Sequence, residues 1–296
     1  LESQLDMKDL GDIRNCLGMR IVQDNKNGSI AIDQSEYIFK ILKRFKMDES
    51  KPVSTPMEPG LKLAPTEEDK ECSPGTPYQE AIGCLLYLSQ LSRPDISFTV
   101  NALSRYNKNP KLKHWMAVKR VFRFIKGTIN KKLIFDRNGN KDLKCFSDSD
   151  WGNESNSRHS ITGSCFKYMG GLISWYSRKQ ATIALSTVEA EYCALSFTIQ
   201  EALWFRTLIS EIEPSIGNHP TSVYCDNSGA IHLAKNCVTS QRSKHIDIRH
   251  HFIRDHIQNK NVTVEYMPSE EILSDLFTKA LSREKHDRLC HEFGLR

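Results

Sequence analysis

Four acidic side chains in the last half of the chain are the residues best suited to chemistry. Asp148, Glu191, Asp226 and Asp275 each lie at the end of an apolar strand-like run or inside an amphipathic helix-like run. Carboxylates are normally avoided there, because burying an unpaired charge is expensive. Gathered carboxylates repel each other unless a cation lies between them, and such hard oxygen ligands suit Mg²⁺ or Mn²⁺. The sequence therefore predicts one shared site for divalent metal.

For two of these acids, a second acid close by in the sequence is an alternative metal ligand. Glu189 fits a capping box with Ser186, whereas helical spacing puts Glu191 at the edge of the apolar stripe of the same helix. Asp150 points to the same face of its strand as Asp148, because side chains alternate with a period of two. We therefore prefer Asp148 and Glu191 as ligands and keep Asp150 as a second choice.

The other two acids each have a structural explanation as well. Asp226 precedes a predicted helix and is as consistent with an N-cap as with catalysis. Asp275 lies in an amphipathic segment, where it could be a solvated face residue. The arrangement of all four acids is what favours the metal site.

An α/β pattern from residue 141 onward must position these acids. It predicts three antiparallel strands, a long helix from Thr187 to about Glu213, a strand, two helices, a fifth strand and a last helix over 269–281. This order builds a mixed five-stranded sheet with flanking helices. Asp148 falls on its central strand and Asp226 at the carboxyl end of the fourth, where open α/β sheets usually bind ligands.

The first 133 residues have a different texture. A hairpin with an Asn27-Gly28 turn precedes a helix in 1–50, and six of the eleven prolines lie between Lys51 and Pro77, which indicates a linker or draped segment. Three helical patterns follow in 78–133. The predicted organisation is thus 1–50, a linker over 51–77, a helical module over 78–133 and an α/β domain over 141–296.

The stretch from Ser104 to Lys132 carries ten Lys or Arg and no Asp or Glu, although the net charge of the chain is only +5. A solvated helix face is one explanation. A contact with a nucleic-acid backbone explains the absence of acids better. We therefore predict that Lys119, Arg120 and Arg123 bind phosphates.

Composition argues against several other classes. Nine cysteines without a CxxC pair or Cys/His ligand spacing predict no zinc site, and indicate reduced thiols in an intracellular compartment. The histidines of 245–256 lack zinc-ligand spacing and favour a basic helix face. No apolar run is long enough to span a bilayer, so no membrane partner is expected.

Long motifs in this sequence resemble the C-terminal part of a copia-type retrotransposon Pol polyprotein. The RNase H domain of that family is resembled by "SDSDWGN", "ALSTVEAEYCAL", "YCDNSGAIHLAKN", "KHIDIRHHFIR" and "EYMPSEEILSDLFTKAL". The end of its reverse transcriptase is resembled by "DMKDLGDIRNCLGMRI", "GCLLYLSQLSRPDI" and "HWMAVKRVFRFIKGT". The resemblance covers almost the whole chain.

The resemblance implies an RNase H-like fold preceded by a reverse transcriptase remnant, with 1–50 from the palm region and 78–133 as a thumb- or connection-like module. Matched motif by motif, its four metal-binding acids fall on Asp148, Glu191, Asp226 and Asp275. The implied reaction is hydrolysis of the RNA strand of an RNA–DNA hybrid with two Mg²⁺ or Mn²⁺ ions. The implied partners are the hybrid and the remainder of the Pol polyprotein, in cytoplasmic virus-like particles with nuclear access left open.

Contacts to 2′-hydroxyls in a wide minor groove would select RNA. Trp151, Ser186 and Asn227 are the predicted contacts beside the acids. The chain departs from the family at two points. It has no Asp-Asp pair, so it is not expected to polymerise DNA by itself, and "EYMPSEEILSD" lacks the loop His of many cellular RNases H.

Two rival functions are weighed against this prediction. A catalytically inactive nucleic-acid-binding relic of a transposable element would keep the same acids by chance. An integrase shares the fold, but the Asp–Glu–Asp–Asp order and the missing zinc ligands argue against it.

Overall fold

The computed structural model describes residues 11–152, 157–236 and 244–296 of the 296-residue chain, with the side chains of 217–218 and 244–247 outside the description. Its first sheet is antiparallel, in the order β1-β2-β3-β4. The predicted hairpin is confirmed, since Val22 pairs with Ala31 across the turn. The strands are β1 (Asn15–Cys16), β2 (Met19–Asp24), β3 (Ser29–Asp33) and β4 (Leu133–Asp136).

Four helices form the first hydrophobic core. They share apolar faces at helical spacing, and residues such as Leu85, Val100 and Phe122 are fully buried between them. Val53 and Leu63, in the proline-rich segment over 51–77, pack against the same core. The helices are α1 (Ser35–Arg44), α2 (Tyr78–Leu91), α3 (Ser97–Ser104) and α4 (Leu112–Gly127).

The second sheet is the predicted mixed sheet of five strands, in the order β7-β6-β5-β8-β9. β5, β6 and β7 form the antiparallel meander, and β8 and β9 add parallel to β5. The strands are β5 (Lys144–Asp150), β6 (Ile161–Tyr168), β7 (Gly171–Lys179), β8 (Thr221–Cys225) and β9 (Val262–Tyr266).

Helices cover this sheet and create two further cores. One core packs against α5, and the other lies under the C-terminal segment around Phe277 and Phe293. This strand order with its helices defines an RNase H-like fold. The helices are α5 (Thr187–Ser210), α6 (Ser228–Lys235), α7 (Lys244–Gln258) and α8 (Arg283–Glu292).

The prediction of a last helix over 269–281 is wrong. That segment contains only a short 3-10 helix, Leu273–Phe277 (the Asp275 helix), and the last α-helix is α8. The Asp275 helix is short because it is pressed against β6, where all five of its residues are buried. Tertiary packing outweighs helical propensity there. Among the described helices none is long and apolar enough to cross a membrane.

Hydrogen bonds join the first 133 residues to the RNase H-like part. Trp175 Nε1 of β7 donates to the Ser89 carbonyl of α2 at 2.8 Å. Nε2 of His286, on α8, lies 3.3 Å from the Asp95 carbonyl oxygen, and the His286 ring packs edge-on against Phe124. The helical core therefore supports the C-terminal segment that carries Asp275.

Candidate active site

Asp148 lies near the end of the central strand β5 and is 3% exposed. It pairs with Gly163 of β6. A Cβ atom at Gly163 would lie 2.6 Å from Cγ2 of Thr278 and 2.7 Å from the Ser274 carbonyl oxygen. Only glycine therefore lets the Asp275 helix approach the sheet beside Asp148. The same approach brings the Thr278 hydroxyl to Asp148, to which it donates a hydrogen bond.

Glu191 lies on the first turns of α5, 6% exposed and facing β5. Its Oε1 accepts a hydrogen bond from the Ser149 backbone N–H at 3.2 Å. Gln180 fixes the surroundings, because its Nε2 donates to the Thr162 hydroxyl at 3.0 Å and to the Ala190 carbonyl at 2.9 Å. The Glu191 side chain is thus held in the interior, against β5.

Glu189 has the predicted capping role with one change of partner. The Ser186 hydroxyl accepts from the Glu189 N–H at 3.2 Å, as a capping box requires. The Glu189 carboxylate, however, accepts from the Leu185 N–H at 2.8 Å. The Glu189 carboxylate reaches Leu185, one residue before the N-cap, because the backbone is extended at Ser186. Glu189 and Glu191 therefore lie in different surroundings on one helix.

Asp226 directly follows β8 and is half-buried. It does not cap α6, because Asn227 is the N-cap and accepts from the Ala230 N–H at 3.0 Å. The Asp226 carboxylate instead accepts from the Ser269 hydroxyl at 2.6 Å. Ligand atoms of Glu191, Cys225 and Asp226 all lie within 4.8 Å of one another. The side chain of Asp226 is thus directed to Glu191 and away from the helix.

Asp275 is fully buried and bound by two lysines. Its Oδ1 lies 2.7 Å from Nζ of Lys279, and its Oδ2 accepts from Nζ of Lys285. Lys285 Nζ also donates to the Ser269 carbonyl at 2.8 Å. The interpretation of Asp275 as a solvated helix residue is therefore excluded.

The electrostatics of the site are those of carboxylates forced together. Burial raises the pKa of Asp148 to about 7, and the nearby Asp275 and Asp226 carboxylates add to the effect, against the opposing Lys279. Burial, Asp148 and Asp226 raise the pKa of Glu191 well above its ordinary value. The four predicted acids therefore interact within one site. Either protons or a cation must relieve their repulsion.

The donor set suits a hard divalent cation. Burial raises the pKa of Cys225, so its thiol remains protonated and contributes no thiolate. The remaining donors are carboxylate oxygens of Asp148, Glu191 and Asp226, with Asp275 beside them, and Mg²⁺ and Mn²⁺ prefer oxygen ligands. The residues present therefore fit the metal that the fold implies.

A cavity of about 410 Å³ opens beside the acids. Leu61 and Lys62 of the proline-rich segment and Arg105 after α3 form one wall, and Asp150 and Lys279 form the other. Asp150, the second-choice ligand, thus lines the cavity. Both parts of the chain line this cavity, and Thr278 and Lys279, which contact Asp148 and Asp275, are among its lining residues.

The acid-free stretch from Ser104 to Lys132 is partly neutralised by acids of the proline-rich segment. Lys113 Nζ lies 2.6 Å from Asp69, and Arg120 Nη1 lies 2.6 Å from Glu58. Arg123 Nε donates to the Lys51 carbonyl at 2.7 Å. Arg120 and Arg123 therefore have structural roles, and Lys119, half-buried on α4, is the third predicted phosphate contact.

The other three predicted contacts surround the acids. Trp151 follows β5, is 47% exposed and donates from Nε1 to the Ala184 carbonyl at 3.0 Å. Ser186 and Asn227 are the N-caps of α5 and α6. Trp151 follows the strand that carries Asp148, Ser186 caps the helix that carries Glu191, and Asn227 directly follows Asp226. The prediction that the histidines of 245–256 form a basic helix face can be compared with the structure only in part, because the side chain of His245 lies outside the described residues.

Sequence reasoning missed the partners of the acids. Lys279, Lys285 and Thr278 contact Asp275 or Asp148, and Gly163 makes room for them. One signal was present, since Lys279 follows Asp275 by four residues, a spacing that lets side chains meet on a helical turn. Lys285 had no such signal, because its contact depends on the turn between the Asp275 helix and α8.

Comparisons with known proteins agree with this architecture. A family model described as "Reverse transcriptase (RNA-dependent DNA polymerase)" matches residues 1–59. The retrovirus-related Pol polyprotein from transposon TNT 1-94 of Nicotiana tabacum is 39% identical over 301 residues, covering 99% of this chain and 22% of the polyprotein. An uncharacterized mitochondrial protein of Arabidopsis thaliana, AtMg00810, is 35% identical, with 69% of this chain and 83% of that protein covered.

Among solved structures, LC11-RNase H1 from compost is similar with a TM-score of 0.35 and 13% identity, over 50% of this chain and 98% of that one. The chain spans about a fifth of the length of the tobacco polyprotein and of the related RE1 polyprotein of Arabidopsis thaliana. The strand order defines an RNase H-like fold, and residues 1–59 before it match the reverse transcriptase family model. The chain belongs to the copia-type retrotransposon Pol family.

Proposed function

We propose that this chain hydrolyses the RNA strand of an RNA–DNA hybrid at the carboxylate cluster. The observation that carries the proposal is the burial of Asp148 and Glu191 against each other and against Asp226 and Asp275, with the pKa of Asp148 raised to about 7. A fold does not retain buried like charges for stability, because each costs several kcal/mol unless it is compensated. Such clusters are typical of catalytic sites.

The chain's own residues have distinct tasks in this proposal. Asp148, Glu191, Asp226 and Asp275 would hold two divalent cations, Mg²⁺ or Mn²⁺. Bound cations of this kind lower the pKa of water and neutralise the charge that develops on a phosphate during hydrolysis. Thr278 and Ser269 orient two of the carboxylates through their hydroxyls. Gln180 keeps the strands and α5 in register around Glu191.

The cavity beside the acids gives the hybrid a route to the site. Lys62, Arg105 and Lys279 bring positive charge to its lining, and phosphate backbones bind such charge with little regard for sequence. Trp151 offers an exposed aromatic face close to Asp150. We assign the 2′-hydroxyl discrimination to Trp151, Ser186 and Asn227, and additional backbone grip to Lys119, Arg120 and Arg123.

The wider setting follows from the family. The natural partners would be the hybrid and the remainder of the Pol polyprotein, in cytoplasmic particles. The proposed division of the chain is a palm remnant over 1–50, a linker over 51–77, a connection-like module over 78–133 and an RNase H domain over 141–296. DNA synthesis would need polymerase residues that the sequence does not contain, since it has no Asp-Asp pair.

The test is cleavage of a hybrid with labelled RNA, in Mg²⁺ and in EDTA. We expect cleavage of the RNA strand in Mg²⁺ alone, and none of duplex DNA. Asp148→Asn should lower the rate by at least about 100-fold, since removing one group that stabilises transition-state charge typically costs that much. Its binding of the hybrid should persist, because the basic surface is unchanged.

A matched control separates catalysis from folding. Glu189→Ala changes an acid two residues from Glu191 on the same helix, and should keep near-normal cleavage, whereas Glu191→Gln should lose it. Hybrid binding without metal-dependent cleavage by the wild-type chain would instead support the inactive relic.

A further inference from the structure

The Asp275 carboxylate already has two cations of the chain's own, while no Lys or Arg of the described residues forms an ion pair with the other three acids. Lys279 and Lys285 engage one oxygen of Asp275 each. Asp148, Glu191 and Asp226 accept hydrogen bonds from Thr278, Ser149 and Ser269, which are neutral donors. The cluster is therefore asymmetric in charge.

Lys279 is a strong partner for Asp275. Its side chain is 42% exposed, so the ammonium can reach water without unfolding the Asp275 helix. Its Nζ lies 2.7 Å from Oδ1 of Asp275, a distance at which the two groups form an ion pair. A divalent cation that binds Asp275 must therefore displace a charged group that is already paired.

Lys285 is built into the site more deeply. It is 22% exposed, and its ammonium bridges Asp275 and the Ser269 carbonyl. The Ser269 hydroxyl in turn donates to Asp226. Lys285 thus links the two ends of the cluster through one serine, which makes it a positioning residue for Asp226 as well as a partner of Asp275.

We propose that Lys279 is an internal counter-ion that competes for Asp275, so that the site binds two divalent cations in unequal steps. This inference rests on the proposed function, because it requires that the acids bind metal. The first ion is held by Glu191 and Asp226 with Asp148. The second binds only when Lys279 releases Asp275 and turns towards solvent. The chain would therefore hold one ion at low metal concentration and two only at high concentration.

Mn²⁺ titration of the full chain, followed by electron paramagnetic resonance of the free ion, tests this without any measurement of activity. The wild type should bind one Mn²⁺ tightly and a second at least about tenfold more weakly, since the ion pair of Lys279 with Asp275 must be separated. Lys279→Met should tighten the second step by about tenfold and the first step by clearly less, because the Asp275 ion pair opposes only the second.

Control variants make the outcome specific. Lys279→Arg keeps the positive charge and should retain two unequal steps. Lys40→Met removes one charge from an exposed lysine of α1 and should change neither step. Lys285→Met should alter both steps, because it removes the link through Ser269 to Asp226. Thermal melts of each variant establish that it is folded.

The possible failures are distinguishable. Two equal steps in the wild type, or an unchanged second step in folded Lys279→Met, would overturn the counter-ion inference and leave the proposed function standing. No Mn²⁺ binding by the wild type, with no difference from Glu191→Gln, would overturn both.

Discussion

Among the regions of this molecule that bury carboxylates, two treat the charge in opposite ways. Asp95, before α3, is buried with Arg93, which donates to both its oxygens at 2.9 and 2.7 Å. Burial raises the pKa of Asp95, but the Arg93 guanidinium outweighs burial and the pKa is lowered. No guanidinium in the described part of the chain donates to Asp148, and its pKa is raised to about 7. In the first region Arg93 neutralises the buried carboxylate, whereas in the second we propose that a bound cation does so.

The difference teaches how to separate structure from function among buried acids. Arg93 is further held by the Thr128 hydroxyl at 2.6 Å and lies over the Phe124 ring, so the whole pair belongs to the helical core. The Asp148 site instead borders an open cavity and gathers like charges. Burial alone therefore does not separate a functional acid from a structural one, and the proposed site rests on burial among like charges beside a cavity.

The largest effect on stability is expected at the ion pair of Arg93 and Asp95. Asp95→Asn should lower the free energy of unfolding by about 3–5 kcal/mol, because it leaves the buried Arg93 charge uncompensated. Urea unfolding of metal-free protein at neutral pH measures this. Asp148→Asn, in the carboxylate cluster, should not lower the free energy of unfolding of the metal-free protein. If Asp95→Asn lowered it no more than Asp148→Asn does, the contrast between the two regions would disappear.

The next effect is a pH dependence of the cluster. An unfolded Asp titrates near 3.9, and Asp148 in the folded chain near 7. Between these values the folded state holds a proton that the unfolded state has released, so stability falls as pH rises. The fall due to Asp148 should reach up to about 4 kcal/mol at pH 7 without metal.

Asp148→Asn should remove that fall and stabilise the metal-free protein at pH 7 relative to wild type. Unfolding by urea at pH 5, 6 and 7 in EDTA, for both proteins, gives the two slopes. Asp95 contributes in the other direction, since its lowered pKa adds stability above about pH 4 that is lost only on further acidification. Parallel curves for wild type and Asp148→Asn would contradict the raised pKa of Asp148.

A smaller effect separates the two acids of α5. Glu189→Ala should cost about 1 kcal/mol, because the Leu185 N–H loses its carboxylate partner at the helix start. Glu191→Gln should instead be neutral or stabilising without metal. Thermal melts of the two variants in EDTA provide the comparison, and a larger loss in Glu191→Gln would reverse the assigned roles.

The smallest effect is expected on the basic face of α4. Lys119→Ala should flatten the salt dependence of hybrid binding by up to about one unit of logarithmic slope. The triple replacement with Arg120→Ala and Arg123→Ala should also lower the melting temperature, because those arginines bind Glu58 and the Lys51 carbonyl. Identical slopes for wild type and both variants would leave α4 with a structural role alone.

Sequence reasoning reached the strands and the acids because local patterns determine them. Strand periodicity predicted the meander and the central position of Asp148, and helical phase separated Glu191 from Glu189. Long-range contacts were not accessible in this way. The ion pairs of α4 with Glu58 and Asp69 join residues more than 40 positions apart. The Asp275 helix is 3-10 because it is pressed against Gly163, which no local pattern reveals.

The measurement that tests the metal assignment most directly is the shift of the melting temperature on adding Mg²⁺ at pH 7.5. A ligand at about 100 times its dissociation constant stabilises the folded state by about 2.7 kcal/mol, which for a chain of this size is on the order of 5 °C. We predict that rise for wild type and for Glu189→Ala, and none for Asp148→Asn. Equal rises in wild type and Asp148→Asn would contradict the assignment of the carboxylate cluster as the metal site.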